Sequence, residues 1–121
     1  MTSIVLITGA SGGIGRALAH QLHSKGLRVA VVGRDMDRLT NVDAALRIAA
    51  DTTTPEGAQQ AIATCQESLG AAPSLLAHCV GSTLIAPLHR TSVQAYREVM
   101  RVNLDSVVFM LQAWIAGLQG G

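Results

Sequence analysis

Aromatic side chains are nearly absent from this 121-residue chain, which holds one Trp, one Tyr and one Phe. A core must therefore be filled by aliphatic residues, and the 49% hydrophobic content is enough to fill one. Charge is equally sparse. The formal net charge is +1, which gives neither the basic footprint of a nucleic-acid binder nor an acidic tail, so no nucleic-acid partner is expected. The apolar run Ile4-Val5-Leu6-Ile7 is too short for a signal-peptide core and has no basic leader, and no segment approaches a membrane span. The expectation is a cytoplasmic protein with no membrane partner.

Cysteine occurs only at Cys65 and Cys79, which points to a reducing compartment where a buried Cys is a small hydrophobe. His20, His23 and His89 lack metal-ligand spacing with acids or thiols, and His78 lies in an apolar strand pattern, where a satisfied core histidine is the simpler reading. No metal is expected.

The most informative feature present is Thr8-Gly9-Ala10-Ser11-Gly12-Gly13-Ile14-Gly15, which follows that apolar run and precedes the helical pattern Ile14, Leu18, Leu22. A strand, a glycine-rich turn and a helix start in that order bring backbone N–H groups and the helix dipole to bear on a pyrophosphate. The glycines permit a sharp reversal, close approach of backbone to phosphate, and close packing of helix on sheet. A P-loop is excluded, because Arg16-Ala17 rather than Lys-Ser/Thr follows Gly15.

Further along, Gly26 is a plausible helix stop, and Leu27 to Val32 reads as a buried parallel strand closed by Gly33-Arg34-Asp35. A short helix within Asp37 to Leu46 and a weak third strand before Asp51 follow. Thr54, Pro55 and Glu56 announce a helix with Ala58, Ala61, Ile62, Cys65 and Leu69 on one face, and Leu75 to Val80 is a fourth strand ending at Gly81. Ser82 to Arg90 reads as a loop at the strand's carboxyl end, where open α/β sheets place ligands. Thr91 and Gln94 form a capping box for the next helix, and another follows Asn103, with Val107, Val108, Leu111, Trp114, Ile115 and Leu118 on a broad face. The fold class is α/β: a Rossmann-like parallel sheet flanked by helices, about four strands of a doubly wound sheet, with residues 1–121 as one dinucleotide-binding domain.

The string TGASGGIG resembles the TGxxxGxG cofactor signature of the short-chain dehydrogenase/reductase family. Asp51 at the third strand's end, Gly81 after the fourth strand, and Asn103 in Arg101-Val102-Asn103-Leu104 agree with that family in order, and the resemblance runs from Ile4 to Gly121. It implies that Gly9, Ser11, Gly12, Gly13, Ile14 and Gly15 line the pyrophosphate, that Asp51 meets the adenine edge, and that the backbone of Val80 and Gly81 borders a ribose. It also implies that Asn103 is the active-site asparagine that helps hold a water in the proton relay. Two of these residues have a plainer alternative, since Asp51 is placed to cap the next helix beside Thr53 and Thr54, and Asn103 to be a polar residue between helices. The stretch His78-Cys79-Val80-Gly81 stands where the family carries NNAG, and only the glycine is kept. Gly9, Gly12 and Gly15 also fit TGxxGxxG, the pattern of the extended epimerase and dehydratase branch. Asn103 and the Gly-Ile-Gly ending favour the shorter branch.

The family's tyrosine lies four residues before a lysine, but here the only tyrosine, Tyr96, is followed at that spacing by Met100, and the only lysine is Lys25. The chain is therefore expected to be the cofactor-binding half of an oxidoreductase, stopping before the Ser and Tyr/Lys segment. The resemblance implies hydride transfer to or from a small-molecule carbonyl or alcohol in the complete enzyme. It also implies a homo-oligomer paired through the helices matching Thr91 to Leu118. An inactive nucleotide-binding sensor or regulatory module, and a nonfunctional truncation product, stand as alternatives. Gly33 followed by Arg34 favours NADP over NAD, because glycine leaves room for a 2′-phosphate and guanidinium binds it, whereas Asp35 competes as an NAD-type acid. Apolar strand and helix surface left uncovered is expected to make these 121 residues self-associate.

Overall fold

The computed structural model describes residues 3–120. Strands β1 (Ile4–Thr8), β2 (Arg28–Gly33), β3 (Leu46–Ala49) and β4 (Leu75–His78) form one sheet in the order β3-β2-β1-β4, and every pairing is parallel. Chain direction along the sheet thus reverses after β3, which returns across β2 and β1 to place β4 on the far side. The switch point of this open sheet lies between the carboxyl ends of β1 and β4.

Alternation along the strands divides the core in two. Leu6, Ala30, Val32 and Ile48 share one cluster with Ala58, Ala61, Ile62 and Cys65 of α3 (Pro55–Leu69) and Met110 and Ala113 of α5 (Ser106–Gln119). On the opposite face Val5, Ile7, Val29 and Val31 pack with Ala19 of α1 (Gly13–Ser24), Leu39 of the one-turn α2 (Met36–Leu39) and Val42. Buried on both faces, β1 and Val29 to Val32 of β2 read as continuous apolar runs. Each fully buried aliphatic side chain such as Leu6 or Ile7 contributes about 1.5–3 kcal/mol.

Several local signals act as the sequence implies. Thr54 caps α3 by accepting from Gly57 N, Pro55 opens the helix, and Gly70 closes it in the left-handed conformation at φ 85°. Gly26 follows the end of α1 at φ 88°.

Other expectations are corrected. Strand β4 ends at His78, so Val80 and Gly81 lie in the loop beyond it. Ile14 is 80% exposed, and Gly15 and Ala19 are the buried positions of α1 instead. Ser92, not Thr91, caps α4 (Val93–Met100) by accepting from Ala95 N, while the Thr91 hydroxyl donates to Pro87 O. The two expected C-terminal helices are one continuous helix over Val93–Gln119, since a π turn at Arg101–Asp105 joins α4 to α5. That helix is long and apolar enough by length and composition to cross a membrane, against the expectation that no segment approaches a span. Ser106, Met110 and Ala113 are its buried positions.

Candidate functional site

A cleft of about 410 Å³ opens at the switch point. Its β1–β2 side is formed by Gly9, Ser11 and Gly12 after β1 and by Val32, Gly33 and Arg34 at the end of β2. Ala50, Asp51, Thr52 and Thr53 after β3 form its floor, and Cys79 to Ser82 with Glu98 and Val102 close the other side.

The turn after β1 is built by close approaches that exclude side chains. Gly9 has φ +64°, and a Cβ there would sit 2.5 Å from Cys79 O. At Gly15 a Cβ would sit 2.5 Å from the backbone Gly9 O, so α1 meets the turn this closely only because position 15 is glycine. A Cβ at Gly13 would meet nothing within 4 Å, which leaves open space over the start of the helix. Gly12, the N-cap, supplies no side chain, and the first turn of α1 has no acidic residue. Among the described residues the N–H groups of Gly13, Ile14 and Gly15 have no acceptor, and the first intrahelical bond is Arg16 N to Gly12 O. Unmet donors at the positive end of a helix dipole form a cradle for an anion. A pyrophosphate fits the donors and the space.

Arg34 stands at the rim with an exposed side chain, and the described residues give it no hydrogen-bond or ion-pair partner. Asp35 is committed elsewhere: its carboxylate accepts from Asp37 N as the cap of α2 and lies 3.9 Å from Arg38 Nε. The competing acid is thus held by its own backbone, while the guanidinium is free.

Asp51 does not cap α3. Its Oδ1 accepts from Thr53 N at 3.0 Å and from Thr53 Oγ1 at 2.6 Å, and Oδ2 lies 4.0 Å from Arg101 Nη1. Burial pushes the carboxyl up, but the two Thr53 bonds and the charges of Arg101 and Arg34 outweigh it and hold Asp51 below the usual value. The carboxylate stays ionised and keeps acceptor capacity toward the cleft. Arg101 also binds the Glu98 carboxylate through Nε at 2.9 Å and Nη2 at 2.6 Å, and donates to Thr53 Oγ1. The Arg101 hydrogen bond is the main reason Glu98 lies below its ordinary pKa.

Asn103 sits inside the π turn and does not line the cleft directly. Its Nδ2 donates to Val99 O and to Ser82 O, and its Oδ1 accepts from Ser82 N at 3.0 Å. The loop that walls the cleft is thereby fastened to the helix. Such π turns gather at functional sites because they redirect side chains within a helix.

Of the residues singled out from the sequence, Gly9, Ser11, Gly12, Arg34, Asp51, Val80 and Gly81 share this cleft, and Gly13, Ile14 and Gly15 head α1 beside it. Glu98, Arg101, Thr52 and Thr53 were missed. The Glu98/Arg101 spacing of three on a helix was a readable signal for the pair itself, but not for its reach to Asp51. Gly57 was also missed: a Cβ there would lie 1.8 Å from Asp51 O, so this glycine lets α3 start against the floor.

The model of the short chain dehydrogenase family matches residues 3–121. The chain is 28% identical over 116 residues to an uncharacterized oxidoreductase of Staphylococcus aureus, covering 91% of this chain and 50% of that protein. It is 30% identical over 118 residues to 2-(R)-hydroxypropyl-CoM dehydrogenase of Xanthobacter autotrophicus, covering 88% of this chain and 47% of the relative. A short-chain type dehydrogenase/reductase from Mycobacterium marinum superposes with a TM-score of 0.88 at 27% identity, over 95% of this chain and 49% of that one. The chain spans about half the length of the relatives it matches.

Proposed function

The chain belongs to the short-chain dehydrogenase family, and from that premise we propose that it binds NADP as the cofactor part of an oxidoreductase acting on a small carbonyl or alcohol. When bound, such a cofactor supplies a hydride donor or acceptor at its nicotinamide ring. The N–H groups of Gly13, Ile14 and Gly15, with Ser11, hold the pyrophosphate. Asp51 accepts from the adenine edge, the Val80 and Gly81 backbone borders a ribose, and Asn103 belongs to the catalytic side of the cleft. The observation that carries the reading is one cleft in which an uncapped glycine turn stands beside the unpaired guanidinium of Arg34. Two parallel charge-assisted bonds to a 2′-phosphate suit that group.

Arg34→Ala tests the cofactor assignment, with NADPH and NADH titrated against parent and variant by calorimetry. Loss of a charge-assisted contact of about 1.5–3 kcal/mol lowers NADPH affinity roughly ten- to a hundredfold and leaves NADH unchanged. An equal NADPH-to-NADH preference in parent and variant overturns the assignment. Substitution of Gly33 is a poorer probe, because a Cβ there lies 3.1 Å from Leu39 Cδ2.

Tyr96 is 56% exposed on α4 with Met100 rather than lysine four residues on, and Lys25 is at the end of α1. These 121 residues are expected to bind NADPH without oxidising it in the presence of ketones. Carbonyl-dependent NADPH oxidation that scales with the purified chain contradicts that expectation.

A further inference from the structure

Segment Cys79–Ser82 is the wall of the cleft on its β4 side, and it begins where β4 ends at His78. His78 Nδ1 lies 2.7 Å from Thr8 Oγ1, and its Nε2 lies 2.9 Å from Ser106 Oγ. The Ser106 hydroxyl donates its only proton to Val102 O at 2.6 Å, so it accepts from Nε2–H. That assignment leaves Nδ1 bare to accept from the Thr8 hydroxyl, whose oxygen in turn accepts from Cys79 N at 3.2 Å, a donor shared with the Thr8 backbone O at 3.1 Å. Every donor along the path from Cys79 N through Thr8, His78 and Ser106 to Val102 O then points the same way. The other tautomer would leave Nε2 facing a Ser106 oxygen whose proton is spent on Val102 O.

The far end of the same wall is held at Ser82, whose N and O both bond to Asn103. Asn103 lies in the π turn, and Ser106 is the first residue beyond it. Both ends of the wall are therefore fastened within four residues of one helix. The wall also abuts the glycine turn, because the missing Cβ of Gly9 faces Cys79 O and Val80 N.

We propose that His78 is a positioning residue for the cofactor cleft: as the neutral Nε2–H tautomer it clamps the near end of the Cys79–Ser82 wall to the π-turn helix, opposite the clamp made by Asn103. Its consequence for affinity rests on the NADP reading above, whereas the clamp itself is measurable without cofactor.

The test uses the 121-residue chain. Long-range proton–nitrogen spectra at neutral pH show His78 protonated at Nε2 and bare at Nδ1. In His78→Leu, amide exchange at Cys79 and Ser82 accelerates roughly tenfold, as expected for loss of two ordinary hydrogen bonds, and NADPH affinity falls by a similar factor. His78→Gln keeps a neutral donor for Ser106 and returns both readouts to within about threefold of the parent. Should His78→Leu not fold, Ser106→Ala carries the test, with exchange at Cys79 raised about threefold. An Nδ1–H tautomer, unchanged exchange in the variants, or equal NADPH affinity of parent and His78→Leu overturns the proposal. A parent that binds no NADPH while the exchange results hold sinks the cofactor reading and leaves the clamp standing.

Discussion

The two sides of the cleft are made of different material. On the β1 side the features that fit a phosphate are backbone: positive φ at Gly9, a Cβ-free contact at Gly15, and uncapped N–H groups on α1. On the β4 side they are side-chain networks in which His78, Asn103 and Arg101 fasten loops to one helix. Backbone geometry tolerates no side chain, whereas a network tolerates any residue that presents the right donor and acceptor. On that contrast His78 can serve where the resembling motif carries asparagine, while Gly9 and Gly15 admit no side chain.

The largest effect should come from breaking the backbone side. Gly15→Val places a Cβ 2.5 Å from Gly9 O, and relieving that clash requires α1 to move off the turn. Denaturant unfolding is expected to show a loss of about 3 kcal/mol, and calorimetry a loss of NADPH binding beyond a hundredfold. Near-parental affinity would mean that the turn is not the anion cradle.

Next in size is self-association. The helix that carries the second side also exposes Val93, Tyr96, Met100, Leu104, Val108, Leu111 and Ile115, a stripe at spacings of three and four along its length. The outer edge of β4 has no strand partner among the described residues. Sedimentation is expected to show association, weakened about tenfold or more by Leu104→Glu with Leu111→Glu. A monodisperse monomer that melts cooperatively would contradict this expectation.

A smaller effect is expected at the rim of the floor. Arg101→Leu frees Glu98 and removes a donor to Thr53, leaving Asp51 with its Thr53 bonds alone. NADPH titration should show about a three- to tenfold loss, with NADH losing as much, since the adenine end is common to both. A loss confined to NADPH would instead assign Arg101 to the 2′-phosphate.

The smallest effect is one of pH. Burial lowers the pKa of His78 from 6.5, so as pH falls below that value the unfolded chain takes up a proton that the native His78 refuses. Stability therefore falls with falling pH until the native pKa is passed, with a slope from this group of at most about 1.4 kcal/mol per pH unit. His78→Gln should remove that part of the slope in unfolding curves recorded from pH 7 downward. An unchanged slope would show that His78 titrates alike in both states.

The contrast between the two sides also explains what the chain's sequence revealed. The glycine turn, the α3 cap at Thr54 and the alternation of strands with helices depend on neighbours in sequence, so local patterns expose them. The Thr8–His78 contact joins residues separated by 70 positions and the Arg101–Thr53 contact by 48, distances over which spacing carries no signal. The π turn was hidden for a related reason. Asn103 looked like a break between helices, yet its Nδ2 bonds Val99 O inside a helix that continues through it. Ile14 misled in the opposite direction, because helical periodicity with Leu18 and Leu22 places it on the inner face, whereas Gly15 and Ala19 are the buried positions of α1 and Ile14 is exposed.

On the proposed function, the switch-point cleft binds a dinucleotide carrying a 2′-phosphate. Titration of the 121-residue chain with NADPH and, separately, NADH by calorimetry tests it most directly. One-to-one binding of both is expected, with NADPH tighter by roughly ten- to a hundredfold. Binding of neither, or NADH bound as tightly as NADPH, would contradict it.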